Sequence, residues 1–570
     1  MSRKRMNRKV MVIAGIALIT VSSLFFIASS NDDFKLVKSL EIYYSLFREL
    51  NLFYVDETNP EKLVENSIKG MLKELDPYTT YIPESDRENF NFMTTGQYGG
   101  IGSLIRRSGE YAIIAEPYEG FPASKAGLKA GDTIISIDGK PMINLEISKI
   151  SDHLKGKPNT TLEMVIRRYS HPAPIKKSLV REKITISNVP YYGMLDDHVG
   201  YIRLANFTTG AGLETKSALL ELKKNPGFEA VVLDLRDNPG GLLIEAVDVA
   251  NLFVRQGQEI VSTRGRVKQW DQVYRTRFMP VDTSIHVAVL VSRGSASASE
   301  IVAGSLQDLD RAVIIGQRTF GKGLVQTTRE LSYNTRLKVT TAKYYIPSGR
   351  CIQALDYTHR NEDGSVGTIP DSLITEYQTD NGRKVYDGGG IQPDFTIEAQ
   401  TLSQVAIALL TQSLIFDYAT IFSARYDSIS SIEEFEITDY IYDNFRAYIA
   451  SRDFTYNTRS EESLKKLIET ARREKYYDMA DEEFSSLEQK LAHDNEKDLN
   501  NFSEEIKQLL KEEIAVRYYY QRGRMQAILE KDTGIDKAVE VLGQPNLYQM
   551  TLGEKSAGIE ARSPALHHPE

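Results

Sequence analysis

Beyond residue 30, apolar positions first recur at helical spacing. Phe34, Val37, Leu40, Tyr43, Tyr44, Phe47 and Leu50 form one stripe along a helix. Asn59-Pro60-Glu61 opens a second helix, with Asn59 as its cap and Pro60 in its first turn, and Asp76-Pro77 closes it. From about 93 to 182 the pattern changes to short β-rich runs punctuated by glycine. Tyr98-Gly99-Gly100-Ile101-Gly102 precedes Ser103-Leu104-Ile105, and Gly120, Gly127, Gly131 and Gly139 follow. From about 183 to 400, strands alternate with helices. The strands are read at 199–204, 230–235, 287–291, 312–315 and 337–345, the helices at 211–222, 242–253 and 300–307. The run 230–235 is apolar except for Asp234, as in a strand covered on both faces. This alternation predicts an α/β layered core.

Residues 401–552 read as helical and charge-laced, with clear helical spacing at 462–477 and 502–520. The stretch 553–570 holds too little apolar content to pack. The chain is therefore multidomain: 1–30, a helical region at 31–92, a glycine-punctuated β module at 93–182, the α/β core at 183–400, a helical region at 401–552 and a tail at 553–570.

Charge and rare residues narrow the picture. Arg3, Lys4, Arg5, Arg8 and Lys9 precede an uncharged, mostly apolar run at 10–28. That run approaches the roughly 20 residues that span a bilayer and exceeds the roughly 7–15 of a signal h-region. It reads as a membrane anchor or a signal peptide, with length favouring the anchor, although Ala28-Ser29-Ser30 would serve for cleavage. Either way the basic flank would stay cytoplasmic and residues from 31 onward would lie outside the inner membrane. A net charge of −9 gives no reason to expect nucleic-acid binding. Cys351 is the only cysteine, which excludes an internal disulfide and a cysteine-rich metal site. The eight histidines are scattered and no HExxH occurs, so neither a metal nor another cofactor is expected.

Two segments carry candidate chemistry. Gly294-Ser295-Ala296-Ser297-Ala298-Ser299-Glu300 sets serines on a small-residue turn between an apolar strand and a helix. There the free N–H groups and the helix dipole can stabilise an oxyanion. The same pattern also serves as a plain helix cap, and Glu300 suits the first turn of such a helix. Phe320-Gly321-Lys322-Gly323 adds a lysine between glycines, and no histidine separates the two segments. Together they point to a serine hydrolase with a lysine base. An ordinary lysine, with a pKa of about 10.4, is protonated at neutral pH; burial must lower that value before the amine can take a hydroxyl proton. A base supplied by His198 or His286 stays open, because triads assemble from distant positions.

Seven segments follow one another in a telling order. They are Leu75-Asp76-Pro77-Tyr78-Thr79, the 93–182 stretch, Asp234-Leu235-Arg236-Asp237-Asn238-Pro239-Gly240-Gly241, the Ser-Ala repeat, Phe320-Gly321-Lys322-Gly323, Ile346-Pro347-Ser348-Gly349-Arg350 and Gly389-Gly390-Ile391-Gln392-Pro393-Asp394. Over roughly residues 40–400 the chain resembles the C-terminal processing peptidases, tail-specific serine proteases with a PDZ domain, here at 93–182.

The resemblance implies a crotonase-like α/β core and a Ser/Lys endopeptidase. Ser297 would be the nucleophile, and Lys322, 25 positions later as in the family, the general base. Gln326 would orient the lysine. The oxyanion hole would use the N–H of Ala298 and of Gly240 or Gly241, in a loop held by Arg236 and Asp237. Gly99, Gly100, Ile101 and Gly102 would receive the C-terminus of a protein substrate. An activating adaptor, a homo-dimer or higher oligomer, and a place on the periplasmic side of the inner membrane are implied as well. Cys351 stands where the family pattern calls for serine, which adds an expectation of oxidation sensitivity. Two other readings stand beside this one: a catalytically silent PDZ scaffold that binds protein C-termini at the membrane, and an acyl hydrolase on a related core.

Overall fold

The structure is a computed structural model whose described residues are 33–361, 363–491 and 494–553. The expected anchor or signal segment at 1–30, and the expected tail apart from Gly553, lie outside them. The chain divides into two compact units, Met1–Tyr81 and Ile82–Glu570.

In the first unit a helix over 33–53 is followed by the helix Pro60–Lys73. Asn59 caps the second helix, its side chain accepting the Lys62 N–H at 2.9 Å, and Pro60 takes the first position, where no N–H is needed. The Tyr43 and Ser67 hydroxyls join the two helices at 2.6 Å. Past the helix end, the Asp76 carboxylate accepts the N–H groups of Tyr78 and Thr79, both at 2.9 Å. Asp76-Pro77 is therefore a bonded turn and not merely a stop signal.

In the second unit the glycine-punctuated stretch builds an antiparallel sheet. Its strands run in the spatial order Ser103–Ser108, Tyr111–Pro117, Thr133–Ile137, Thr161–Arg167 and Ile175–Val180. The helix Ile147–Leu154 brings Ile150 and Leu154 into a core with Ile114, Ile134, Leu162 and Ile166. Ser103–Ser108 forms one edge of the sheet. Outside it, Gln97–Gly100 pairs antiparallel with Glu182–Thr185 and draws the two ends of the module together. Gly102 must be glycine: its φ is 71°, and a Cβ there would stand 2.5 Å from that of Phe121.

A six-stranded sheet forms the centre of the unit. Its order is Tyr191–Met194, Val199–Arg203, Ala230–Asp234, His286–Val291, Val313–Gly316 and Phe395–Thr396, with every pair parallel except the first. Alternation sends Ile202, Val231, Leu233, Val289 and Ile314 to one face, under the helices Ala211–Leu222, Leu243–Ala250 and Ala298–Asp308. Tyr201, Val232, Ala288, Leu290 and Ile315 belong to the other face. The helices Thr533–Leu542 and Pro545–Thr551 close that face with Ile535, Val541, Leu542 and Tyr548. Coverage on both sides explains why these strands read as unbroken apolar runs.

The helical region expected from 401 to 552 is thus shared between two cores. Its last two helices belong to the central sheet. The helices from Gln404–Thr411 onward form a core of their own around Phe422, Phe445, Ile506 and Leu510. A second antiparallel sheet, built from Glu259–Gly265, Gln272–Arg275, Leu324–Glu330 and Arg336–Tyr345, lies beyond the lysine segment.

Candidate active site

The central strands end at their C-terminal edges in two loops that meet. His286–Val291 leads to the turn that starts the helix Ala298–Asp308, and Ser297 caps this helix with φ 57° and ψ −111°. A positive φ at serine costs on the order of 1–3 kcal/mol and persists only where its surroundings impose it. Here the flanking serines are buried and engaged. Ser295 Oγ donates to the Leu235 carbonyl and Ser299 Oγ to the Asn238 carbonyl, both at 2.8 Å. The middle serine, Ser297, is the one of the three left partly exposed.

The facing loop follows Ala230–Asp234. Asp234 is fully buried and pairs with Arg236 at 2.6 Å and Arg203 at 2.7 Å, while the Tyr201 hydroxyl donates to it at 2.7 Å. Burial works against its charge; Arg236 and Arg203 outweigh that and hold its pKa at about 2. Asp237 adopts φ 55° and donates its N–H to Ser292 Oγ at 2.9 Å. Asn238, fully buried, is the hub of the loop. Its Nδ2 donates to the Leu204 carbonyl at 2.8 Å, and its Oδ1 accepts the Gly240 N–H at 2.9 Å. Its carbonyl also accepts the Ala296 N–H at 3.1 Å. Gly240, with φ 94°, lies against the serine turn: a Cβ there would stand 2.6 Å from the Ala296 carbonyl oxygen, 2.8 Å from Ala298 N and 2.9 Å from Ser297 Cβ. Gly241 instead abuts the Phe207 backbone. Of the two glycines, Gly240 is the neighbour of Ser297 and Ala298.

Two buried side chains join the serine turn to the lysine segment. One oxygen of the Glu300 carboxylate accepts the N–H of Ser297 at 2.8 Å and the N–H of Lys322 at 2.9 Å. Its other oxygen accepts the Thr319 hydroxyl at 2.5 Å and the Gly321 N–H at 2.7 Å. Burial pushes the Glu300 pKa up, and these four donors oppose the shift. From a neighbouring strand, the Tyr344 hydroxyl reaches the Lys322 carbonyl at 2.6 Å and the Ser297 carbonyl at 3.2 Å. The backbones of Ser297 and Lys322 therefore lie within reach of one carboxylate oxygen and of one hydroxyl. Gln326 sits on the strand Leu324–Glu330 and donates to Thr340 Oγ1 at 3.2 Å.

The two candidate histidines stand elsewhere. His198 Nδ1 bonds with the Gly227 carbonyl at 3.0 Å, and the His286 ring stacks on Tyr548 at 4.3 Å. Each adjoins the N-terminal end of a strand whose C-terminal end leads towards the two loops. A strand of five or six residues separates those ends by about 17–20 Å. Cys351 is partly buried and burial raises its pKa, which works against the oxidation expected of it.

The glycine-punctuated module carries a groove of about 180 Å³ between the edge strand and the helix Ile147–Leu154. Ile101, Ser103 and Ile105 line one side, Ser151, Leu154 and Lys155 the other, and Tyr98 and Tyr118 also contribute. Ser103 Oγ is buried there and has no hydrogen-bond partner among the described residues.

Similarity to known proteins follows the same division. Residues 198–371 match peptidase family S41, 113–168 match the PDZ domain, and 405–542 match the C-terminal helical domain of probable PDZ-proteases. The chain is 36% identical over 360 residues to the carboxy-terminal-processing protease of Bartonella bacilliformis, an alignment covering 62% of this chain and 82% of that protein. The chain belongs to the carboxy-terminal-processing proteases of family S41. It is also 34% identical over 344 residues to a probable CtpA-like serine protease of Staphylococcus aureus, covering 59% of this chain and 67% of the relative. Among solved structures, the photosystem II D1 C-terminal processing protease is 28% identical and is covered over 93% of its length, against 63% of this chain, with a TM-score of 0.34.

The protease is a serine-type peptidase with a PDZ domain and a helical C-terminal domain. Three residues that organise its two loops escaped the sequence reading: Asn238, Tyr344, and Glu300 in its bridging role. For Glu300 a signal was present, since an acid stands among small and apolar residues in a helix that proves buried throughout. Tyr344 carried none, because an aromatic in a strand reads as core.

Proposed function

We propose that this protease cleaves peptide bonds with a Ser297/Lys322 dyad and selects substrates by binding their C-terminal tails in the PDZ groove. The observation that carries the dyad is the single Glu300 oxygen that accepts from both Ser297 and Lys322, seconded by Tyr344. Two loops 25 positions apart in the chain are thereby held in one register, which is the pre-organisation that proton transfer requires.

Neutral Lys322 takes the proton of Ser297 Oγ as the oxygen attacks the scissile carbonyl. The oxyanion meets the N–H of Ala298, at the start of its helix, and a donor from the Gly240 loop. The Gly240 N–H is held by Asn238 Oδ1, so an oxyanion there competes with Asn238 for it. The lysinium then protonates the leaving amine, and water resolves the acyl-enzyme, with Lys322 again as base. Gln326 orients the lysine from the adjoining strand. The parallel sheet that carries both loops at its C-terminal edge fits a crotonase-like core.

Tail binding is supported by the edge position of Ser103–Ser108 and by the groove beside it. A peptide adds as a strand along that edge, its carboxylate meets the backbone of Gly99, Gly100, Ile101 and Gly102, and its last side chain enters the apolar groove. Residues 1–30, as a membrane anchor or a cleaved signal peptide, would place the protease on the periplasmic side of the inner membrane.

The test uses the chain with Ser297 and Lys322 intact and as Ser297→Ala and Lys322→Ala. Each form is mixed with an unstructured protein ending in small apolar residues and with the same protein bearing a charged tail. Cleavage of the apolar-tailed protein by the intact form alone, with tail binding kept in both variants, is the expected result. Cleavage by Lys322→Ala at the intact rate rejects the dyad, and equal cleavage of both tails rejects selection through the groove.

A further inference from the structure

The helical C-terminal domain touches both the PDZ domain and the loop that bears Gly240, and the stretch 521–532 takes part in both contacts. On the PDZ side, Glu116 lies on Tyr111–Pro117, the strand next to the edge strand, and is almost fully buried. Gln521 Nε2 donates to it at 2.6 Å, and Arg524 stands 3.8 Å away. Nearby, the Phe416 ring lies between two guanidiniums, with Arg106 of the PDZ edge strand at 3.7 Å and Arg517 of the helical domain at 4.3 Å.

Gln521 directly follows a break in the helix Ser503–Leu529, where Tyr519 and Tyr520 leave helical geometry, Tyr520 with φ 52° and ψ −151°. From Gln521 the helix runs on to Leu529. Asp532 then caps the helix Thr533–Leu542, accepting the Gly534 N–H at 2.9 Å and the Ile535 N–H at 3.2 Å. The same carboxylate pairs with Arg236, at 2.9 Å to Nη1 and 2.7 Å to Nη2. Arg236 also clasps Asp234 and immediately precedes Asp237 and Asn238.

We propose that residues 521–532 form a rod coupling the seat of the PDZ domain to the oxyanion loop, with Asp532 acting on that loop through Arg236 as a positioning residue. The assignment of the oxyanion loop rests on the function proposed above. Each end of the rod is a buried or half-buried polar contact: Gln521 on Glu116 at one end, Asp532 on Arg236 at the other. The rod is tied to the rest of its domain across the break at Tyr519-Tyr520: Arg524 pairs with Glu513 at 3.0 Å, Gln508 Nε2 donates to the Ala527 carbonyl at 2.7 Å and Lys511 pairs with Glu530 at 2.5 Å, so it moves with the packed helices around it. Packed elements of this kind pass between discrete arrangements and do not deform smoothly. Spatial continuity alone does not establish coupling, so the test measures coupling directly.

Gln521→Glu sets a second carboxylate against Glu116 and unseats the PDZ end. Asp532→Asn keeps a good helix cap while removing the charge that holds Arg236. Both changes, and their combination, are made in the full chain carrying Ser297→Ala, which stops self-digestion. Amide hydrogen exchange is read by mass spectrometry in the peptide covering 235–242. Each single change should speed exchange there by about tenfold, and the pair by no more than the larger single effect, as for two ends of one coupled device. Exchange in 235–242 unchanged by Gln521→Glu, or single effects that multiply in the pair, overturns the proposal. Should either variant fail to fold, Gln521→Ala or Asp532→Ser replaces it under the same criteria.

This readout needs neither turnover nor tail binding, so it survives failure of the proposed dyad. With Ser297 present, Asp532→Asn should lower kcat several-fold and leave KM unchanged. A loss matching only the unfolded fraction marks Asp532 as merely structural and also overturns the proposal.

Discussion

Removing the Glu300 carboxylate tests whether the bridge between the two loops serves catalysis or only the fold. In Glu300→Gln the amide oxygen can keep the position that accepts from Ser297 and Lys322. The amide nitrogen then faces the Gly321 N–H and Thr319. Threonine can turn its hydroxyl and accept, but the Gly321 N–H loses its partner in a site closed to water, at a cost of roughly 1–3 kcal/mol. Glu300→Ala strips all four donors and leaves a cavity as well. Counting only the two most enclosed donors, Gly321 N–H and the Thr319 hydroxyl, the loss is about 4 kcal/mol. Catalysis should separate the variants more sharply than stability does. Glutamine keeps Ser297 and Lys322 in register and should cost kcat less than about tenfold; alanine frees both loops, and a displacement of an ångström costs about 100-fold. The assay pairs steady-state cleavage of an apolar-tailed protein with a melting curve for each variant. Glu300→Ala that is folded at the assay temperature and turns over at the wild-type kcat would refute the reasoning. Equal kcat losses in the two variants would also count against it.

The remaining predictions concern the facing loop. Gly240→Ala forces a Cβ to within 2.6 Å of the Ala296 carbonyl oxygen at φ 94° and should lower kcat more than about 100-fold. Gly257→Ala, at φ 83° with open space around it, carries the same backbone strain and should leave activity unchanged; equal activity in the two variants would contradict the close approach at Gly240. Asp234 has a folded pKa of about 2 against an ordinary 3.8. Its charge therefore stabilises the fold above the ordinary value, and that stability is lost as the pH falls towards 2. The unfolding free energies of wild type and Asp234→Asn should converge by about 2 kcal/mol across that window, and a pH-independent gap would refute the assignment.

Local chemistry decided much of this protein before any folding. The Asn59 cap, the helix 211–222, the apolar central strands and the glycine turns of the PDZ domain all rest on spacing and dihedral preference among near neighbours, which a sequence displays. The serine and lysine segments stood out as small-residue motifs, and only the family resemblance gave meaning to their separation. The tertiary structure alone decided what lies between them. Glu300 looked like an ordinary first-turn acid until the fold brought Thr319, Gly321 and Lys322 to its carboxylate, and Asn238 was one member of a motif, with no role of its own, until Leu204 and Gly240 closed on its amide. Helices from the far end of the chain, at 533–551, proved to cover one face of the central sheet, although their periodicity is that of any amphipathic helix. Periodicity reports which face of an element is apolar and is silent on which surface will meet it. Partners across hundreds of residues are chosen by the packing of whole faces and by the need of each buried polar group for a bonded neighbour.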